Sequence, residues 1–181
     1  MVMRSTIFNG SPKKDDCLGK ITSSIAEKLK AKGIGAREYH LYFMDIKGCI
    51  DCNINRPDDE FRELIDELTS SDIAIFACPV YRWNISGALS AFIEELYSYC
   101  RYDDDLAAGL AGRKAAVVMA MESEENVAND AIEHLKMFFD KFGMRYAGAF
   151  MLPFSDRDKV TDPSYADRIG DFVQRITEMT T

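Results

Sequence analysis

The side chains best suited to chemistry lie in three short segments, each directly after an apolar run. Residues 9–16 (NGSPKKDD) combine a glycine turn, a serine hydroxyl and two lysines, and a helical pattern begins just behind them. Backbone N–H groups at such a helix start can hold a phosphate. Residues 78–86 (CPVYRWNIS) supply two large aromatic rings and an arginine, which can line a planar ligand. Together the two segments indicate a nucleotide or flavin site.

Both segments also have structural explanations, which the sequence leaves open. NGSP is a common turn sequence. Aromatic residues such as Tyr81 and Trp83 also often close a sheet edge or lie in a subunit contact. The third segment, residues 121–126 (MESEEN), offers three carboxylates and no glycine.

Strands and helices alternate along the chain. Apolar runs predict strands of a buried parallel sheet at residues 4–8, 72–79, 114–121 and 145–152, and residues 36–43 supply the one remaining strand. Apolar residues at helical spacing predict helices around residues 18–29, 61–68, 89–96, 127–142 and 165–176. Expected helix boundaries are Gly33, Asp58 or Asp59, Ser123 or Asn126, Gly143, and Asp162 with Pro163.

This order predicts right-handed βαβ units and one α/β domain spanning residues 1–181, with helices on both faces of a parallel sheet. Ligands of such sheets bind beyond the carboxyl ends of the strands, where the strand order reverses. The three polar segments are therefore expected at one edge of the sheet. We interpret residues 102–114 (YDDDLAAGLAGRK) as a solvated loop before the fourth strand.

Composition narrows the class of protein. With 47% hydrophobic and 29% charged residues the chain is typical of globular proteins, and its net charge of -8 argues against nucleic-acid binding. No apolar run is long enough to span a membrane, and the N-terminus does not look like a signal peptide. Five cysteines, an odd number, indicate reduced thiols and a cytoplasmic location.

Three motifs in this order resemble the NADPH-dependent FMN reductase family: NGSPKK, GCIDCN and SDIAIFACPVYRWNISGALSAFIEEL. This family is flavodoxin-like and is related to iron–sulfur flavoproteins and small NAD(P)H quinone reductases. The resemblance implies a three-layer sandwich with a five-stranded parallel sheet of order 2-1-3-4-5. It also implies FMN at the strand ends, and a homodimer or homotetramer.

By position, the resemblance implies contacts with three parts of FMN. The phosphate would be faced by Ser11, Lys13, Cys17 and Leu18. The ring system would be held, mainly by backbone atoms, by Pro79, Val80, Tyr81, Arg82, Trp83 and Asn84. A loop would close over the other edge of the ring with Met121, Glu122 and Ser123.

The phosphate segment departs from the family pattern, in which a small polar run such as Ser-Asn-Thr follows Gly-Ser-Pro-Arg. Asp16, Cys17 and Leu18 align with that run, so an aliphatic side chain replaces a hydroxyl donor. An ionised Asp15 or Asp16 near a phosphate would cost roughly 1 to 4 kcal/mol, depending on the local dielectric. Alternatively, one of the two caps the helix and occupies its N–H donors. Both hypotheses predict weaker phosphate binding.

The other departures concern residues 121–126 and the cysteines. The family often has a glycine in that loop, and Glu122 near a flavin would oppose the charge of the reduced ring.

Cys49 and Cys52 form a Cys-x-x-Cys pair, but Asn55 stands where a cluster-bearing relative has a cysteine. We therefore expect neither an iron–sulfur cluster nor zinc, and favour a structural remnant over a redox pair.

The sequence thus predicts an FMN-dependent NAD(P)H oxidoreductase that takes hydride from NADPH or NADH. Its small-molecule acceptor would be a quinone, a flavin or a nitro compound. One alternative is a flavodoxin-like module that has lost FMN and acts as an interaction protein or binds another ligand. Another is an FMN-binding electron carrier that does not react with NAD(P)H.

Overall fold

The computed structural model describes residues 3–48, 60–82, 84–102, 104–122 and 125–178. The strands are β1 (Arg4–Asn9), β2 (Gly35–His40), β3 (Ile73–Pro79), β4 (Lys114–Met121) and β5 (Arg145–Pro153). The helices are α1 (Cys17–Ala31), α2 (Phe61–Ser70), α3 (Gly87–Tyr102), α4 (Asp104–Leu110), α5 (Glu125–Lys141) and α6 (Pro163–Glu178). The predicted alternation of strands and helices is confirmed.

The five strands form one sheet of order β2-β1-β3-β4-β5 in which every neighbouring pair is parallel. This is the predicted order 2-1-3-4-5. Every residue of β3 and β4 is buried, which explains their unbroken apolar sequences. The order reverses between β1 and β3, so a crevice is expected beyond the carboxyl ends of these two strands.

Helices cover both faces of the sheet, as the predicted three-layer sandwich requires. α1 and α6 pack on one face, and α2, α3 and α5 pack on the other. Successive side chains of a strand point to opposite faces, so Ile75 of β3 contacts the first layer and Phe76 the second. Within the described part of the chain, no helix has the length and apolar character needed to cross a membrane.

Most predicted helix boundaries lie where the sequence places them. Gly33 and Gly143, directly beyond α1 and α5, have φ values of +77° and +65°, the conformation that ends many helices. Pro163 is the first residue of α6. The N-cap of α2 is Glu60, while the predicted capping residues, Asp58 and Asp59, lie outside the described residues.

The expectation of a solvated loop at residues 102–114 is wrong. α4 occupies Asp104–Leu110, and its Leu106 and Leu110 are buried in the layer formed by α2, α3 and α5. Two apolar residues four positions apart are too few to signal a helix among aspartates and glycines. Packing against the neighbouring helices decides the conformation of this segment.

The predicted strand at residues 36–43 ends earlier than expected. β2 stops at His40, and the chain then makes a short 3₁₀ turn over Leu41–Phe43. Leu41 is buried in this turn, whereas Tyr42 and Phe43 are exposed. The early end of this edge strand places two aromatic rings at the carboxyl edge of the sheet.

The substitution Leu110→Ala tests the packing of α4. Truncating this fully buried side chain leaves a cavity, so we expect the free energy of unfolding to fall by about 2 to 4 kcal/mol. Urea denaturation followed by circular dichroism measures this change. The control Asp105→Ala alters an exposed residue of the same helix and should cost less than about 1 kcal/mol. Equally small losses in both variants would contradict the packing of α4.

Candidate functional site

The loop after β1 and the turn after β3 meet at the carboxyl edge of the sheet, where the strand order reverses. Gly10 donates its N–H to the Ala77 carbonyl at 2.8 Å, which ties the loop to β3. A Cβ atom on Gly10 would lie 2.5 Å from Ser86 Oγ, at the start of α3. Glycine therefore allows the loop to approach α3 closely.

Asn9, the last residue of β1, holds the start of this loop. Its buried side chain accepts the Ser11 N–H on Oδ1 at 2.9 Å and donates from Nδ2 to Glu38 Oε1 at 2.9 Å. The Thr22 hydroxyl of α1 also donates to Glu38 Oε1, at 2.7 Å. These bonds link β1, β2 and α1 beneath the loop and fix its path.

Asp16 is the N-cap of α1, and both oxygens of its carboxylate are hydrogen-bonded within the loop. Oδ1 accepts the Gly19 N–H at 2.8 Å, and Oδ2 accepts the Ser11 hydroxyl at 2.6 Å. Ser11 Oγ in turn accepts the Lys13 N–H at 3.2 Å. The hypothesis that one of the two aspartates caps the helix is thus confirmed for Asp16, whereas Asp15 is exposed.

Gly19 lets the loop fold back over the first turn of α1. A Cβ atom at this position would lie against the Lys14 carbonyl oxygen, closer than side chains approach backbone atoms, and 3.6 Å from Asp16 Oδ1. No sequence pattern signals this requirement, because a glycine inside a helical pattern is ordinarily only unfavourable.

The two lysines of the loop lie in different surroundings. Lys13 is exposed, so its ammonium group is free to turn toward an anion. Lys14 places its Nζ 4.9 Å from the centre of the Phe43 ring, in a cation–π contact. The positive charge of the loop is therefore partly directed away from the start of α1.

Cys17 and Leu18 form the first turn of α1. Burial, followed by the Asp16 carboxylate, raises the pKa of the half-buried Cys17 thiol, which disfavours a nucleophilic thiolate. The Leu18 side chain is fully buried in the core between α1, α6 and the sheet. At this position only backbone atoms are available to a ligand outside the core.

The second segment forms a tight turn. Tyr81 donates its N–H to the Asn84 carbonyl at 3.0 Å, and Asn84 returns a bond to the Tyr81 carbonyl at 3.3 Å. Arg82 takes the left-handed conformation, with φ of +60°, that this turn demands. Trp83, predicted to hold the ring, lies outside the described residues.

The ends of β3 and β4 support this turn. Pro79 is the last residue of β3, and Val80 donates its N–H to the β4 backbone at 2.7 Å. Met121 ends β4 with its side chain buried, and Glu122 follows in an exposed position. Ser123, the third residue predicted there, is outside the described part of the chain.

Three exposed aromatic rings, which we call the aromatic patch, lie around the loop: Tyr42, Phe43 and Tyr81, each more than half exposed. Tyr42 and Phe43 meet edge to face at 5.5 Å. Burial, followed by the Asp16 carboxylate, raises the pKa of the Tyr81 hydroxyl. Sequence analysis missed Tyr42 and Phe43 because it assigned them to a strand.

The part of the chain that the structure describes contains no group of three or more side chains that could hold a metal ion. Cys49 and Cys52 lie outside that part. Cys78 is fully buried, and burial raises its pKa to about 12, so its thiol stays protonated. His40 lies with Nε2 at 3.6 Å from Glu38 Oε1, beneath the loop.

Residues 3–157 match the family model of the NADPH-dependent FMN reductases. A curated relative, the iron-sulfur flavoprotein of Archaeoglobus fulgidus, is 27% identical over 106 residues, which cover 54% of this chain and 47% of the relative. The match thus spans about half the length of that relative.

Solved structures share the fold. The apo form of an NADH:FMN oxidoreductase superposes with a TM-score of 0.76 at 17% identity, covering 99% of this chain and 91% of the other. A putative quinone reductase from Klebsiella pneumoniae superposes with a TM-score of 0.67 at 14% identity, covering 97% and 84%. At these identities the likeness shows a common fold.

The substitution Gly19→Ala tests the close approach of the loop to α1. Alanine usually stabilises a helix relative to glycine by about 0.5 to 1 kcal/mol, but here its Cβ would collide with the Lys14 carbonyl oxygen. We therefore expect the free energy of unfolding to fall by about 1 to 3 kcal/mol. The matched control is Gly170→Ala in α6, where a Cβ meets only the end of the Lys28 side chain at 3.9 Å. A stabilising effect of Gly19→Ala in urea denaturation would refute this packing.

The left-handed conformation of Arg82 gives a second test. Proline, whose φ is fixed near −65°, cannot adopt +60°, so Arg82→Pro should break the paired bonds between Tyr81 and Asn84. We expect a loss of about 1 to 3 kcal/mol in the free energy of unfolding. Arg82→Gly adopts this φ without strain and should stay within about 1 kcal/mol of the parent. Equal stabilities for the two variants in chemical denaturation would show that the turn does not have this geometry.

Proposed function

Because this chain belongs to the NADPH-dependent FMN reductase family, we propose that it is an FMN-dependent NAD(P)H oxidoreductase. Its second substrate is a small electron acceptor, such as a quinone, a free flavin or a nitro compound. The observation that carries the proposal is that the loop between β1 and α1 meets β3 and the start of α3 where the strand order reverses, through Gly10 against Ala77 and Ser86. When bound, FMN supplies the redox chemistry between the hydride donor and the acceptor.

We place the ring end of FMN at the turn after β3. We assign the ring to the backbone of Pro79, Val80, Tyr81, Arg82 and Asn84, together with the predicted Trp83 in the same segment. The paired bonds between Tyr81 and Asn84 hold this backbone in one conformation before any ligand arrives. Preorganisation of this kind lowers the entropy lost on binding.

We assign the remaining contacts, with the other edge of the FMN ring and with the acceptor, to residues near the ends of β4 and β2. We assign Met121, Glu122 and Ser123 to the opposite edge of the ring. The exposed Glu122 carboxylate would disfavour a negative charge on the reduced ring. The aromatic patch supplies apolar surface that an aromatic acceptor can cover while excluding water.

For the phosphate of FMN, the loop between β1 and α1 offers suitable backbone groups, whereas its side chains are less suitable. The N-terminus of α1 directs partial positive charge at the loop, and Lys13 is exposed beside it. We assign the phosphate to these groups, to Ser11 and to the backbone of Cys17 and Leu18. No side chain needs to act as a general acid or base.

One observation favours the alternative of a flavodoxin-like module that no longer binds FMN. The Asp16 carboxylate holds the Ser11 hydroxyl and the Gly19 N–H, two donors that a phosphate would otherwise use. In that case the protein would bind a different ligand or a protein partner, and added FMN would not bind.

We further propose that the protein works in the cytoplasm as a single-domain homodimer or homotetramer without a nucleic-acid partner. The family resemblance supports the assembly. The net charge of -8 supports the lack of nucleic-acid binding.

An FMN titration followed by NAD(P)H oxidation assays tests the function. We expect quenching of flavin fluorescence to saturate at about one FMN per chain, and oxidation of NADPH or NADH in the presence of a quinone. The substitution Tyr81→Ala should weaken FMN binding by about tenfold, because it removes ring contact. The control Tyr97→Ala removes an exposed tyrosine of α3 that contacts Phe142, and should leave the affinity within about twofold. A protein that binds no FMN when FMN is in excess, and that does not oxidise NAD(P)H, would contradict the proposal.

A further inference from the structure

The hydrogen bonds of Asp16 bear on which flavins the site accepts. We propose that Asp16 is a specificity-determining residue that selects flavins ending in an uncharged hydroxyl, so that riboflavin binds at least as tightly as FMN. This inference rests on the proposed function, since it concerns the same site. It goes further because it assigns a ligand class to one side chain of this loop.

The hydrogen-bond donors of this loop are already in use. The hydroxyl of Ser11 has one hydrogen, and that hydrogen is donated to Asp16 Oδ2 at 2.6 Å. Ser11 Oγ also accepts the Lys13 N–H, and the Gly19 N–H is donated to Asp16 Oδ1. A phosphate at this loop would have to displace the carboxylate from these donors or bind without them.

The charge of Asp16 also opposes a phosphate at this loop. A phosphate ester only accepts hydrogen bonds and carries negative charge, so an adjacent carboxylate both repels it and competes with it. A terminal hydroxyl, by contrast, can donate to a carboxylate oxygen. Lys14 does little to offset this repulsion, because it lies over the Phe43 ring. Lys13 is the lysine left to face an anion.

The Asp16 carboxylate is held in place by the fold. Asp16 caps α1, and an N-cap typically contributes about 1 kcal/mol of stability. The Ser11 residue that binds it is fully buried and is itself fixed by the Asn9 side chain. The carboxylate is therefore part of the folded loop, and a ligand meets it there.

The test compares FMN and riboflavin on the full chain by fluorescence quenching at neutral pH. For the parent protein we expect the dissociation constant of riboflavin to be no larger than that of FMN. In Asp16→Asn the amide oxygen can still cap Gly19, while the amide nitrogen donates to Ser11 Oγ and frees its hydrogen for a phosphate. We expect this variant to bind FMN about tenfold more tightly, or about 1.4 kcal/mol, with riboflavin changed less than about twofold.

Two further variants separate donor occupancy from charge alone. Asp15→Asn removes the same charge at the neighbouring, exposed position and should change FMN affinity by less than about threefold. Ser11→Ala added to Asp16→Asn should abolish most of the gain in FMN affinity, because the freed hydroxyl is then absent. Thermal denaturation of each variant verifies that α1 keeps its cap.

The possible outcomes are distinct. Tighter binding of FMN than of riboflavin by the parent would overturn the role of Asp16 and leave the proposed function standing. A gain for Asp15→Asn equal to that for Asp16→Asn would overturn donor occupancy as the cause. Failure of every variant to bind either flavin would overturn the proposed function and this inference with it. Preference of the parent for riboflavin, reversed by Asp16→Asn, would support the inference.

Discussion

Helices cover both faces of the sheet, and this constraint determines where polar chemistry can occur. β3 is buried along its whole length, with Ile75 and Phe76 in opposite cores. A polar group within such a strand would lose water without gaining a partner, which is unfavourable. Polar side chains of the candidate site are therefore expected where the central strands end. Asn9 is the last residue of β1, and its bonds to Ser11 and Glu38 satisfy its buried amide group.

The loop beyond Asn9 shows how stability of the fold and affinity for a ligand can conflict. An N-terminal helix end has N–H groups without partners, and these attract either a capping side chain or an anion. In this chain Asp16 provides the cap, and Ser11 connects it to the end of β1. The arrangement stabilises α1 when no ligand is present. The same carboxylate opposes a phosphate, because both seek the same donors.

The turn after β3 has a different character. Its backbone bonds between Tyr81 and Asn84 involve no carboxylate, and the Tyr81 ring is more than half exposed. Surface of this kind can accept a planar ring whatever the charge at the other end of the ligand. The turn after β3 and the loop before α1, to which we assign the ring and the phosphate of FMN, are thus separate elements of the chain.

Local patterns in the sequence were enough to predict the order of elements, and with the family resemblance the strand order 2-1-3-4-5. They also located the apolar stripe of α1, because side chains such as Leu18 and Ile25 are buried at simple helical spacing. They could not decide whether Asp15 or Asp16 caps α1, since that depends on the direction of each side chain relative to Ser11. Nor could they show that Gly19 must approach Lys14, or that Tyr42 is exposed. These features depend on the path of the backbone in three dimensions, where residues without a periodic signal are placed by packing and hydrogen bonding.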